Sequence, residues 1–313
     1  MPLHRAMAAS AVLMALLTTA GLTDPEFGSV WHDGKAELDG YRLTMLRYGQ
    51  PRAGQAVMVY VTEPFRERAR VKADDPSRDP ADVFDVLKLN LVRDFQTGIY
   101  DYNTMVSLFV RSDTFAPVKV SFSSSEWCGN VYEELLIDPG KIRHQLLSYF
   151  EGETSSGSLP RPPGGMLEDE LYVRLRGLRG DLLRPGERRR LPFLASTFYR
   201  RMAHQPASWS TAELERLAVP RQVRVPAGAF SVSEYVVRVA DGREGRFDVE
   251  SAYPHRIVKW AWTPPRGVEP AHWLGGADSA ELEGSARLAY WNLHANGDER
   301  YLQQLGLTPT VSR

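Results

Sequence analysis

Cysteine is almost missing from this chain of 313 residues: Cys128 is the only one. One thiol cannot close an intramolecular disulfide, so the fold must rest on an ordinary hydrophobic core. Charge of one sign is also lacking. Lys and Arg number 38 and Asp and Glu 39, a balance with no general pull toward nucleic acid. After about residue 20 no apolar run approaches the roughly 20 residues needed to span a bilayer as a helix. The strong catalytic and nucleotide motifs are absent too: no G-x-S-x-G, no GK[ST] loop, no G-x-G-x-x-G, no H-E-x-x-H and no calcium loop. The histidines are scattered without metal-ligand spacing. The sequence therefore implies no cofactor and no metal.

The opening, MPLHRAMAASAVLMALLTTAGLTD, has a short basic start at His4 and Arg5, an apolar run from Ala6 to about Ala20, and small residues before polar Thr23 and Asp24. That is the pattern of a secretory signal peptide, and residues 1–23 are assigned to it. No cysteine lies near the cleavage region to carry a lipid. The expected mature protein is periplasmic or extracellular, not lipid-anchored, and without a transmembrane segment.

Alternation of apolar and polar residues, the signature of half-buried strands, dominates the rest of the chain. Lys35–Gly49, Gly54–Phe65, Phe84–Phe95, Thr104–Arg111, Val118–Trp127, Asn130–Asp138 and Lys141–Glu151 read as strands, the last three as an antiparallel meander. Gly152–Gly165 is rich in Gly, Ser and Pro and reads as a linker or long surface loop between an N-terminal β region (24–151) and a C-terminal one (166–313). Met166–Gly180 predicts a helix with Leu167, Leu171, Leu175 and Leu178 on one side. Ser210-Thr211-Ala212-Glu213 fits a capping box, so Ser210–Leu217 is expected as a short helix. Strands then recur between Arg221 and Trp291, with a hairpin turn at Asp241-Gly242. A last short helix over Asp298–Gly306 is expected to pack on a sheet edge. The expected fold is mainly β: twisted antiparallel sheets, half-barrel or sandwich-like, with a few short helices.

Few residues carry chemistry. Cys128 can be a packed side chain on a meander strand, a nucleophile served by His144 on the next strand with Glu126 nearby, or half of an intermolecular disulfide. Trp127 and the apolar strand around Cys128 favour the packed side chain. Trp31–Leu38 gathers His32, Asp33 and Lys35, types suited to acid–base work, although Asp33-Gly34 is also a tight-turn signal. Arg174–Arg190 holds seven arginines and is either a solvated face balanced by Glu168, Asp169 and Glu170 or a contact for an anionic surface. Trp260 and Trp262 share one side of their strand, as Tyr235, Val237 and Val239 share one side of theirs. These rings either fill the core or line a cleft for an apolar ligand.

Several blocks, WHDGKAELDGY, RYGQPRAGQAV, SSSEWCGNVY, HQLLSYFEGE and LEDEL, together resemble a family of exported bacterial envelope proteins often labelled "septum formation inhibitor Maf". LASTFYRR (Leu194–Arg201) lacks the proline of the LASxSPRR opening of the Maf nucleotide pyrophosphatases, so that enzyme pattern is missing. The resemblance implies an exported or lipid-anchored envelope protein of unknown function, with no known mechanism; this chain departs from the lipoprotein members by lacking the lipid-attachment cysteine. The strand blocks of the C-terminal half are also reminiscent, by fold analogy alone, of the half-barrel sheets of lipoprotein carriers. The functional expectation is a non-catalytic envelope protein whose sheet cradles a lipid or other apolar ligand. The alternatives are a Cys128-dependent enzyme and a structural or interaction protein.

Overall fold

The computed structural model describes residues 25–268 and 277–309. The expected signal segment, residues 1–23, lies outside them. Among the described residues no helix is long and apolar enough to cross a membrane.

Among the described residues sixteen strands form one sheet. The first eight are β1 (Ala36–Arg47), β2 (Gln50–Arg66), β3 (Val83–Thr97), β4 (Tyr100–Arg111), β5 (Pro117–Glu126), β6 (Gly129–Asp138), β7 (Lys141–Ser148) and β8 (Ser155–Pro160). They pair in chain order as an antiparallel meander. The other eight are β9 (Met166–Leu167), β10 (Arg188–Leu194), β11 (Trp209–Arg216), β12 (Arg221–Val225), β13 (Gly228–Val239), β14 (Glu244–Glu250), β15 (Ile257–Thr263) and β16 (Ala277–Leu288). β16 pairs antiparallel with β1, so one sheet runs through both halves. β9 and β10 are its one parallel pair among those described, which makes the sheet mixed.

The sheet's two edges are β8 and β9, and residues 161–165 alone connect them. Six Cα steps reach about 20 Å at most. Some fifteen strands in line at ~4.8 Å spacing would spread over roughly 70 Å if flat. The sheet must therefore curl until its edges nearly meet, without closing into a barrel.

The inner face of the curl is filled by the chain itself. Residues 166–203 contain a 3-10 turn at Glu168–Glu170, the short helix α2 (Leu171–Arg174) and the helix α3 (Thr197–Ala203). Leu171, Tyr172, Val173, Leu175, Leu178, Phe198 and Met202 join Tyr41, Met58, Leu89, Phe122, Phe247 and Trp260 in one core. The Tyr60 hydroxyl donates to the Tyr172 carbonyl at 2.7 Å, and the Tyr172 ring meets Trp260 and Phe247 edge-on. A helix α1 (Pro25–Trp31) packs Phe27 and Trp31 into the same core.

Four expectations about elements are corrected. Met166–Gly180 is not one helix: it is a two-residue strand, a 3-10 turn and a single α-turn, ended by Gly177 at φ 61°. Ser210–Leu217 is strand rather than helix. Ala212 and Leu214 alternate into the core between β10 and β13, and that pairing overrides a local capping pattern. The supposed linker holds β8, which continues the meander through full pairing with β7. The last helix, a 3-10 stretch at Asp298–Leu305, seats on the outer face of the β1–β16 seam, in mid-sheet rather than at an edge.

That seat depends on missing Cβ atoms. Gly40 of β1 and Gly284 of β16 are paired. A Cβ at Gly40 would collide with the Leu305 carbonyl oxygen, and one at Gly284 with that of Gln304. Gly40→Ala should therefore cost about 1–3 kcal/mol by overpacking the seam. Urea denaturation measures it; an unchanged midpoint means that the terminal helix is not seated there.

Beneath the seam lies a fully buried charge cluster. Arg176 stacks between Tyr60 (4.2 Å) and Trp31 (5.2 Å), meets Glu37 at 2.7 Å, and donates to the Pro254 carbonyl. Asp39 is 0 % exposed, and among the described residues neither carboxylate oxygen meets a donor in hydrogen-bonding geometry. Burial first, then the Glu37 charge, push its carboxyl up to about 8. The folded state thus holds a proton that the unfolded chain has released, so stability falls as pH rises from about 4 to 8. Asp39→Asn should flatten that fall, most clearly in the difference between denaturation midpoints at about pH 5 and pH 8. An equally steep fall in the variant would assign the effect elsewhere.

Candidate functional site

The cavity best suited to a ligand, about 340 Å³, opens where β6 and β7 face the end of α3. A volume of a few hundred Å³ with mostly apolar walls and few polar groups is what small-molecule sites commonly show. Each wall follows from local sequence. On β6, Val131 and Glu133 are two residues apart and share the inner side of the strand, and His144 and Leu146 do the same on β7. α3 starts at Ser196, whose hydroxyl accepts from the Tyr199 N–H at 3.0 Å, a side-chain N-cap. Asp169 also accepts from the Thr197 N–H, at 3.2 Å. Burial still carries the Asp169 carboxyl up to about 7, against that hydrogen bond. α3 then delivers Arg200 and Arg201 and ends at His204 in the left-handed region, φ 53°. Pro206 and Ala207 complete the rim.

The charges are arranged in pairs. Arg200 donates to Glu133 at 2.7 Å, both side chains being 3 % exposed. His144 Nε2 lies 3.2 Å from the same carboxylate oxygen, not aligned for a hydrogen bond. Burial would raise the Glu133 carboxyl; the Arg200 charge and His144 outweigh it and hold it below its ordinary value. Arg201 donates to Glu126, both 3 % exposed, and stacks on Phe150. His204 Nδ1 is 2.5 Å from Glu153. Desolvation of Glu153 is likewise outweighed, by the Ser148 hydroxyl and then His204, and its carboxyl is lowered. Among the described residues, Arg200 Nη2 and Arg201 Nε and Nη1 are buried and have no hydrogen-bond partner. Two cationic side chains with spare donors beside Val131, Leu146 and Ala207 can receive an anionic group that carries an apolar body.

The sequence-derived candidates are dispersed. Cys128 is exposed and Trp127 is 69 % exposed, because the two form the turn of the β5–β6 hairpin rather than part of a strand. The packed-cysteine expectation is therefore corrected. His144 pairs with Leu135, six residues along β6 from the turn, or about 20 Å at the strand rise, so no Cys128–His144 dyad exists. Glu126 and His144 do reach the cavity region, through Arg201 and Glu133. His32 faces Asp85 at 3.9 Å, whereas Asp33 pairs with Arg287 at 2.7 Å and accepts from the Lys35 N–H. Asp33 makes a turn and a surface ion pair, and the two do not converge. Arg287 offsets the slight desolvation of Asp33 and lowers its carboxyl.

Trp260, Trp262 and Tyr235 are 0 %, 5 % and 3 % exposed. They fill the core, and the face they were expected to offer a ligand is covered by residues 166–203. Glu168, Asp169 and Glu170 do not balance the arginine run from solvent. Glu168 holds Arg243 at 2.9 Å, Asp169 sits at the start of α3, and Glu170 accepts from the Leu167 N–H at 2.9 Å. Among the described residues no group of three or more His, Cys, Asp or Glu could hold a metal ion. Sequence reasoning missed Arg200, Arg201, Glu133 and Glu153. A usable signal was present in Ser196-Thr197, an N-cap that starts a helix whose last turn must carry both arginines.

Compared with known proteins, the chain matches no family model and no curated sequence.

Arg200→Met leaves Glu133 buried without its cation and should cost about 3–5 kcal/mol at pH 7. The loss should shrink in acid. A lowered carboxyl contributes stability above its ordinary value of 4.5 and loses it as pH falls through the folded value. Adding Glu133→Leu should restore most of the loss. Denaturation of both variants at about pH 7 and pH 4 checks this, and a pH-independent loss would refute the pairing.

Proposed function

We propose that this is an exported, non-catalytic protein of the cell envelope that binds an amphipathic anionic ligand in the β6–β7–α3 cavity. The acid group contacts Arg200 and Arg201, and the apolar part lies along Val131, Leu146 and Ala207. The observation that carries this reading is the pair of deeply buried arginines with spare donors on the wall of a 340 Å³ cavity. Export is supported by the signal-peptide pattern of residues 1–23 and by the resemblance to envelope proteins. The Trp260 and Trp262 face is packed and offers no ligand contact.

The test is native mass spectrometry with lipid extraction on the mature protein purified from its own envelope. A co-purifying anionic lipid-like mass is expected, and it should be lost in Leu146→Trp, which fills the cavity from a half-exposed position on β7. A wild-type protein that is bare, or a ligand that survives Leu146→Trp, overturns the proposal.

A further inference from the structure

At the opposite end of the hairpins, where the β4–β5 turn meets the crossover 161–165, two cavities of about 360 and 500 Å³ adjoin. They share Thr114, Arg174, Leu182 and Arg189 in their walls, so they form one continuous groove. Arg179 lines the first, Arg161 and Arg190 the second. These arginines come from separate stretches: the crossover after β8, the segment around α2, and the start of β10.

Most arginines elsewhere have a carboxylate within ion-pair distance, as Arg188, Arg216, Arg238 and Arg246 do. Among the described residues Arg161, Arg174, Arg179 and Arg190 have none. Three of them contact neutral oxygens instead: Arg174 the Phe115 carbonyl at 3.4 Å, Arg179 that of Ser112 at 2.6 Å, and Arg190 the Thr211 hydroxyl at 3.5 Å. The groove's own carboxylates are spoken for. Asp113 faces Arg111 at 3.7 Å, Asp181 pairs with Arg216 at 2.6 Å, and Glu170, buried against the Leu167 N–H, feels the Arg161 and Arg174 charges from beyond ion-pair distance. Arg189 is held by Glu187 at 2.6 Å.

We propose that Arg161, Arg174, Arg179 and Arg190 form a binding groove for a ligand that carries two or more phosphate groups. Planar guanidinium groups offer paired donors that match phosphate oxygens. Four cations without carboxylate partners along one groove ask for more than one negative charge, and the walls between them are mixed, with Thr114 beside Leu182, Leu191 and Pro192. This site is separate from the β6–β7–α3 cavity and does not depend on what that cavity binds.

The test uses the full mature chain and two probes: inorganic pyrophosphate by titration calorimetry, and vesicles of phosphatidylcholine with about one-fifth cardiolipin, a lipid with two phosphates, by sedimentation, each at about 50 mM and about 300 mM NaCl. Saturable binding of at least one probe is expected, weakened at the higher salt and lowered at least tenfold in Arg161→Gln/Arg190→Gln. The single Arg161→Gln, which removes a side chain that pairs with no carboxylate, should lower it severalfold and guards against a folding defect in the double. Arg78→Gln/Arg300→Gln removes the same charge from exposed sites elsewhere and should leave binding intact. Pyrophosphate binding alone identifies a soluble phosphorylated ligand, and vesicle binding alone a lipid headgroup; either supports the groove. Binding of neither probe, or equal loss in the two double variants, overturns it.

Discussion

The constraint on which the structure depends is that five arginines enter a wrapped sheet and must meet carboxylates there. Arg176 meets Glu37, Arg93 meets Asp278, Arg243 meets Glu168, Arg200 meets Glu133 and Arg201 meets Glu126, every side chain being at most 4 % exposed. Four of these pairs join residues 166–203 to the sheet, at β1, β5, β6 and the β13–β14 turn. Desolvation takes back most of what such pairs gain, but a pair with one member displaced is strongly unfavourable. Their effect is therefore on register. Apart from β9 and β10, which belong to the sheet, the inner segment has few regular hydrogen bonds of its own, and any slide along the sheet would strand several buried charges at once.

Aromatic rings make these charges tolerable. Arg176 lies between Trp31 and Tyr60, Arg93 over Phe198, Arg243 over Tyr199 and Arg201 over Phe150. A guanidinium is weakly hydrated and its faces accept ring contacts while its edge donates. Of the rings that suggested a ligand cradle, Trp262 lies under Arg243, Tyr235 under Arg216, and Trp260 against Tyr172. A sheet that presented the same apolar face empty would expose a patch far larger than soluble proteins usually carry.

Strand positions were legible because alternation reports one buried face, and the Asp138-Pro139-Gly140 and Asp241-Gly242 turns punctuate it. What misled were signals whose outcome is decided at a distance. The Ser210–Glu213 capping pattern is sound locally, yet Ala212 and Leu214 gain more by alternating between two strands. Leu167, Leu171, Leu175 and Leu178 have helical spacing, but they are buried on all sides within the curl, where periodicity does not discriminate. Glu168, Asp169 and Glu170 look like a surface run because three adjacent acids are rarely buried; each is taken inside by a different partner. Cys128 and Trp127 continue an apolar strand in sequence, whereas Gly129 at φ 155° lies under the Tyr149 ring and turns the chain there. The cavity was legible only through His144 and Glu126, since Arg200 and Arg201 acquire meaning from strands far earlier in the chain, 67 and 75 residues away.

The same side chain serves two purposes that burial separates. Inside the curl an arginine is fixed by a carboxylate and is spent on holding the fold. In the groove beside the crossover, Arg161, Arg174, Arg179 and Arg190 are half-buried or exposed, and among the described residues none has a carboxylate at ion-pair distance, so their charge is available to something outside the chain. Arg200 and Arg201 stand between these cases: each has one carboxylate, and each retains donors at a cavity wall. A ligand acid there would compete with no existing pair, because Glu133 and Glu126 use one guanidinium nitrogen each. The crossover that forces the sheet to curl also brings Arg161 against the segment that carries Arg174 and Arg179. The topology that closes the interior to a ligand is in this way what assembles the charged groove on its outside.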